Sequence, residues 1–404
     1  MKQTETSTLH DELRQTFLST CEGQSGDGKI HILKNLALME LDTWGNTSLA
    51  LRDMTEAVTL AGNDKEKIRR HIPLYFRILF TAEKFDELLK ACDEYDDSSG
   101  EINLWRSIAR FSLNSEFPVI NRHEIRELGS DVLYIYSVMA LNSGYTEQAR
   151  MAAANAASFR FREKCSRIIA ESYFDDKNYI KAGRIYRRML KDNPSNPVGM
   201  MRYADGMVLC GKVDEAFLFI SRLKVSEEAM YSKNFMLCAL SFLRDDTDCF
   251  KKHIDIMGSY EQGPLYNLYL CRYYRLTGRT KAALEALETS RSLLPRKFDP
   301  PKQHVNILLC CDIEESILNR NNELLSLLSS NFHYLPVMDR LYYENYMKEH
   351  FKADNIISGM PVSGMPVSGM PVSGIKRFFA KVIIAAIMIL CVLFLVYLET
   401  MLIE

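Results

Sequence analysis

The sequence predicts an all-α chain: a right-handed superhelical stack of helix-turn-helix repeats, followed by one C-terminal transmembrane helix. Three observations predict it. A short pattern of turn residue and alanine recurs at steps of 33 and 34 residues. Near the end lies VIIAAIMILCVLFLVYL, residues 382–398, seventeen residues without a charge. Between them, Ser358-Gly-Met-Pro-Val stands three times in tandem, closing at Ser373-Gly374.

Composition bounds the rest. Of 404 residues, 47% are hydrophobic and 25% charged, the balance of a chain that can bury a sizeable core. A formal charge of −2 supplies no pull toward a polyanion, and no Lys/Arg block forms a phosphate-binding arm, so nucleic acid is excluded as a partner. Ten cysteines are scattered without a CxxC pair, and Cys310-Cys311 falls in an apolar run, which points to thiols kept reduced as small hydrophobes. Residues 1–11 lack the positive start and apolar stretch of a secretory signal.

The repeats are read first. Gly144-Tyr-Thr-Glu-Gln-Ala149, Lys177-Asn-Tyr179-Ile-Lys-Ala182, Gly211-Lys-Val213-Asp-Glu-Ala216 and Gly278-Arg-Thr-Lys-Ala-Ala283 superimpose. Their alanines are 33, 34 and 67 residues apart; the last step is two periods, which puts a degenerate repeat around Cys249 and Phe250. Ala170, Tyr173, Tyr179, Ala182, Tyr186 and Pro194 fit a unit opening near Glu163, with small residues where helices approach and proline at the exit. In these positions the chain resembles the tetratricopeptide repeat (TPR) family, although the usual first-helix tryptophan is missing. The resemblance implies stacked helix pairs that bind a protein or peptide partner on a concave face lined by the first helices. It nominates Arg167 and Glu171, Met201 and Asp205, and Leu268 and Arg272 as partner-binding candidates. Their mixed character does not reproduce the lysine and asparagine carboxylate clamp of co-chaperones in that family.

The resulting organisation is a flexible segment over 1–28, divergent helical repeats over 29–130, TPR-like repeats over 131–297, capping helices over 298–350, a linker over 351–375 and a tail anchor over 376–404. Upstream helices are expected at 30–41, 72–80, 85–92 and 104–113 from apolar periodicity. The capping helices, with the aromatic stretch Leu341-Tyr-Tyr-Glu-Asn-Tyr346, are expected to close the open end of the stack. At 1.5 Å per residue, residues 382–398 extend about 25 Å, near the short end of a bilayer span. Lys376, Arg377 and Lys381 precede that run, whereas Glu399 and Glu404 follow it, so the positive-inside preference places residues 1–375 in the cytoplasm.

Gly23-Gln-Ser-Gly-Asp-Gly28-Lys29 meets part of a phosphate-loop pattern, but Ile30 stands where a magnesium-binding hydroxyl belongs and the preceding residues read as helix. The histidines lack metal spacing, and no nucleophile arrangement stands out. The expectation is a non-enzymatic scaffold without cofactor or metal, recruiting or assembling partners at the cytoplasmic face of a membrane. A bacterial inner membrane, serving a secretion or envelope assembly system, is favoured over a eukaryotic organelle. The alternative is a membrane-tethered chaperone for apolar client segments, suggested by 19 methionines.

Overall fold

The computed structural model describes residues 2–351 apart from 25, 63, 96–98, 114, 115, 159 and 295–301. The spacer beginning at Ser358 and the apolar run 382–398 lie outside the described residues. Among those described, no strand occurs, and no helix is long and apolar enough to cross a membrane. The chain is an all-α helical repeat protein of TPR-like pairs, in two compact units dividing at Ser172/Tyr173.

The first unit holds α1 (Lys2–Glu22), α2 (Asp27–Met39), α3 (Thr47–Ala61), α4 (Lys65–Thr81), α5 (Phe85–Glu94), α6 (Gly100–Leu113), a single turn α7 (Arg122–Ile125), α8 (Ser130–Asn142), α9 (Thr146–Ala156) and most of α10 (Arg162–Asp175). Its core runs from Cys21 to Ile168 and centres on Phe76, Trp105, Tyr136 and Phe161. α8 buries Val132, Leu133, Tyr136 and Ala140 against α9, whose Ala149, Ala152, Ala153 and Ala156 are fully buried. A face of four methyl groups lets two helix backbones come close without a cavity.

The start of the chain departs from expectation. Residues 1–28 were expected to be flexible, yet α1 is helical and docked. Arg14 is buried and bridges two carboxylates, donating to Glu40 and, through both terminal nitrogens, to Asp53 at 2.9 Å. His10 adds a ring nitrogen 3.1 Å from the Glu40 carboxylate. α1 places Cys21 in the core, and what holds its middle is a charge on one helix meeting two buried carboxylates far along the chain. Glu40 opens a π-helical turn, Glu40–Trp44, which also turns Asp42 toward Arg77 and Arg160. Burial raises the Asp42 carboxyl, but the Arg77 and Arg160 guanidiniums hold it below its ordinary value.

The second unit holds α11 (Tyr179–Asp192), α12 (Pro197–Leu209), α13 (Val213–Arg222), α14 (Met230–Leu243), α15 (Thr247–Tyr260), α16 (Pro264–Leu276), α17 (Thr280–Ser292), α18 (Lys302–Leu318), α19 (Asn322–Ser329) and α20 (Val337–His350). The aligned alanines Ala182, Ala216 and Ala283 are fully buried here, and Phe250 fills the same role where the pattern degenerates.

One backbone device repeats at the five helix pairs between α8 and α17. The N–H of Tyr145 bonds the carbonyl of Ala140, Asn178 that of Tyr173, Lys212 that of Met207, Asp246 that of Ser241 and Arg279 that of Tyr274, all at 2.8–3.1 Å. Each is the six-to-one closure of a helix end on a left-handed residue. Those residues are Gly144, Lys177, Gly211, Asp245 and Gly278, at steps of 33, 34, 34 and 33. Asp245 therefore marks the degenerate repeat, where no glycine advertises the turn. At Lys177 and Asp245, where a non-glycine takes the left-handed place, the next residue caps the following helix: Asn178 accepts from the N–H of Lys181, and Asp246 from that of Cys249.

Candidate functional site

In the second unit first helices pack on one another. α12 packs on α14, and α16 on α18. Met201 and Asp205 sit one turn apart on α12, Leu268 and Arg272 one turn apart on α16, so each pair shares a helix face. The structure brings Met201, Asp205 and Leu268 onto one cavity of about 400 Å³, whose other walls are Tyr231 and Phe235 of α14, Ile307 of α18 and Met338 of α20. The lining is mostly apolar and aromatic, with Asp205 and Asp339 its acids and no lysine or arginine.

Exposure separates the candidates. Met201 is 38% exposed, but Asp205 is 5% and Leu268 is 1%, so both belong to the cavity wall rather than an open surface. Arg272 is at 0% and does not line the cavity, a correction to its expected place on a solvent-facing groove. Arg167 and Glu171 lie on α10 in the other unit, the first exposed and the second half-buried.

The reason Arg272 is buried is the last helix. The aromatic stretch of α20 was expected to close the end of the stack; instead α20 returns along α12 and α14. Arg272 spends its whole fork on this helix and its neighbour: Nε donates to Glu314 at 3.1 Å, Nη1 to Asp339 at 2.7 Å and Nη2 to the Tyr343 hydroxyl at 2.7 Å. Arg275 donates to the other Glu314 oxygen at 2.7 Å and to the Tyr342 hydroxyl at 2.7 Å, and Tyr343 donates back to Glu314 at 2.9 Å. Phe242, Tyr269 and Tyr343 surround the Arg272 guanidinium with ring centroids 4.9–5.4 Å away.

The electrostatics follow from that closure. Burial alone would raise the Glu314 carboxyl, yet the guanidiniums of Arg275 and Arg272 keep it below its ordinary value. Burial pushes the Tyr343 hydroxyl well up, so it remains a donor at neutral pH. The cluster is charged, buried and fully engaged, which makes it a clamp on α20, and Asp339 alone carries it to the cavity wall.

Sequence reasoning missed Tyr231 and Phe235 because α14 belongs to the degenerate repeat. The signal was present: Phe235 stands 34 residues after Met201 and 33 before Leu268, the same repeat position. The glycine-rich stretch near Gly23 is a connection between two helices, and Lys29 pairs with Glu56 at 2.9 Å rather than facing an open loop.

No family model matches this chain, and no curated protein matches it either. Among solved structures it is similar to the crystal structure of the APC/C hetero-tetramer Cut9-Hcn1, with 11% identity over 81% of this chain and 75% of that one, at a TM-score of 0.32. The repeat assignment itself rests on the periodic turns and helix pairs described above.

Proposed function

We propose that this chain is a membrane-held, non-enzymatic scaffold that captures a protein or peptide partner on the first-helix face of its second unit. The observation that carries the reading is the convergence of Met201, Asp205 and Leu268, three of the six residues that the TPR resemblance nominated, on one apolar cavity whose Asp339 belongs to the charged clamp. Apolar pockets with a few fixed polar groups are where interfaces concentrate their binding energy. Residues 382–398 supply the anchor in this reading and 376–381 its cytoplasmic flank, with a bacterial inner membrane the favoured address. Confinement to a surface raises the effective concentration of partners there, so modest affinity suffices for assembly.

The test is a crosslinking pull-down from detergent-solubilised membranes, comparing the full chain, a chain ending at Asp354 and the full chain with Met201→Glu. The reading expects a defined partner set that Met201→Glu loses and that the shortened chain captures poorly from membranes. Equal capture by the full chain and Met201→Glu would remove the cavity from recognition. A second reading, a chaperone for apolar client segments, is favoured by the methionines Met201, Met236 and Met338 in the lining. It predicts binding of many unrelated apolar peptides in place of one partner set.

A further inference from the structure

Three tandem copies of Ser-Gly-Met-Pro-Val hold more chemistry than reach requires. Glycine and serine alone make a spacer, whereas each Met-Pro-Val sets two apolar side chains on either side of a proline, and residues 358–372 carry no charge. Proline fixes its own φ and restricts the residue before it, so such a unit presents its methionine and valine with little ordering entropy left to lose; aromatic-lined grooves are the surfaces that take proline-containing segments of this kind.

The cavity of the second unit has that character where a ligand can reach it. Around its mouth stand Met201, at 38% exposure, the half-buried Tyr231, Phe235 and Leu265, and the exposed Gln303 and Pro336. No lysine or arginine lines it; of its two acids Asp339 is engaged by Arg272 and Asp205 is 5% exposed, so an entering segment meets apolar surface before charge.

Chain length joins the two. α20 begins at the cavity, which Pro336 and Met338 line, and the twelve residues from Met338 to His350 rise about 18 Å. Nine residues lead from Phe351 to Met360, enough for about 30 Å when extended and for about 15–18 Å on average in a flexible chain. The first copy is therefore tethered at a length close to the span it must cross, the condition under which effective concentration is highest, and the two further copies also reach.

We propose that one Met-Pro-Val copy docks in this cavity of its own chain, methionine and valine against Tyr231 and Phe235, so that the segment preceding residues 382–398 competes with a partner for the site. The competition, though not the docking, rests on the partner-binding role proposed above.

The test places a photoreactive amino acid at Met201, or at the exposed Gln303 as a second position, in the purified full-length chain in detergent, and maps crosslinks in the monomer by mass spectrometry. The proposal expects crosslinks to residues 360–372 from both positions, at least fivefold above those from Lys281, whose side chain is 94% exposed. Met360→Ser and Val362→Ser, with the same changes at Met365, Val367, Met370 and Val372, should cut that yield at least fivefold and raise partner capture in cells at least threefold. No crosslink to 360–372, a yield that the serine changes leave intact, or crosslinks that join light to heavy chains in an isotope mixture would each overturn the docking. Self-crosslinks with partner capture unmoved by the serine changes would overturn the competition, whereas self-crosslinks with no partner captured at all would overturn the partner-binding role alone.

Discussion

Two arginine clusters, one in each unit, hold the two outermost described helices, and they work in opposite directions. In the first unit Arg14 is carried by the terminal helix and reaches into carboxylates of the array, Glu40 and Asp53. In the second unit Arg272 and Arg275 belong to the array and reach out to the terminal helix, taking Asp339, Tyr342 and Tyr343 through Glu314 as a shared hub. If α1 leaves, its own arginine regains water and only carboxylates remain behind. If α20 leaves, two guanidiniums and a buried carboxylate stay inside the array. The second arrangement is the more interlocked, and it is the one that reaches the candidate site, through Asp339.

The largest expected effect follows from that asymmetry. Arg272→Met leaves Glu314 buried and releases Asp339 and Tyr343, so it should cost about 3–5 kcal/mol in urea unfolding of the second unit and expose α20 to protease. A cost no larger than that of the matching change at Arg14 would break the comparison.

Acid sharpens it next. The His253 ring is pushed down to about 4, chiefly by burial, and its Nδ1 lies 2.9 Å from the Asn234 side-chain oxygen, which requires the proton on Nδ1. Unfolded, this histidine takes up its proton near pH 6.5, whereas folded it waits until about 4. The unfolded state binds more protons in that window, so stability falls as pH drops from 6.5 toward 4, by on the order of 3 kcal/mol. Below that window Glu314 continues the loss: its lowered carboxyl contributes stability above the ordinary carboxylate range that disappears as pH falls through its folded value. His253→Gln should flatten the upper part of the curve and leave the lower part, read as urea midpoints between pH 3 and 8.

Arg14→Met should act locally, at about 2 kcal/mol or less, because undocking one end helix limits the loss. Faster cleavage at residues 23–26 with little change in the thermal midpoint is the expected signature. The smallest effect is at a turn. Lys177 takes a left-handed φ of 58°, so Lys177→Gly should raise stability by about 0.5–1 kcal/mol, as a thermal shift of a degree or two upward.

The turns also explain what the sequence could disclose. The pairs around Gly144, Gly211 and Gly278 were legible because glycine is the residue a left-handed closure prefers, and buried alanines repeat at the same step. The pair closed by Asp245 uses the same hydrogen bond without the glycine, so its period had to be inferred from its neighbours. Met201, Asp205 and Leu268 were legible through repeat position, whereas the burial of Arg272 was not, because it depends on a helix 67 to 71 residues further on. The end of α1 was legible as helix ahead of Gly23, but its docking was not, for the same reason: one arginine finding two distant carboxylates leaves no periodic trace.

The central claim, that the first-helix cavity of the second unit is where a partner docks, is tested most directly by a photocrosslinking amino acid placed at Met201 in the full-length chain expressed in cells. The control position is Lys281 on α17, whose side chain is 94% exposed and stands apart from the cavity. The account predicts a discrete crosslinked species from Met201 that is absent from Lys281 and is reduced when Asp205→Lys is added. Crosslinks of equal yield and identity from both positions, or from Lys281 alone, would contradict it.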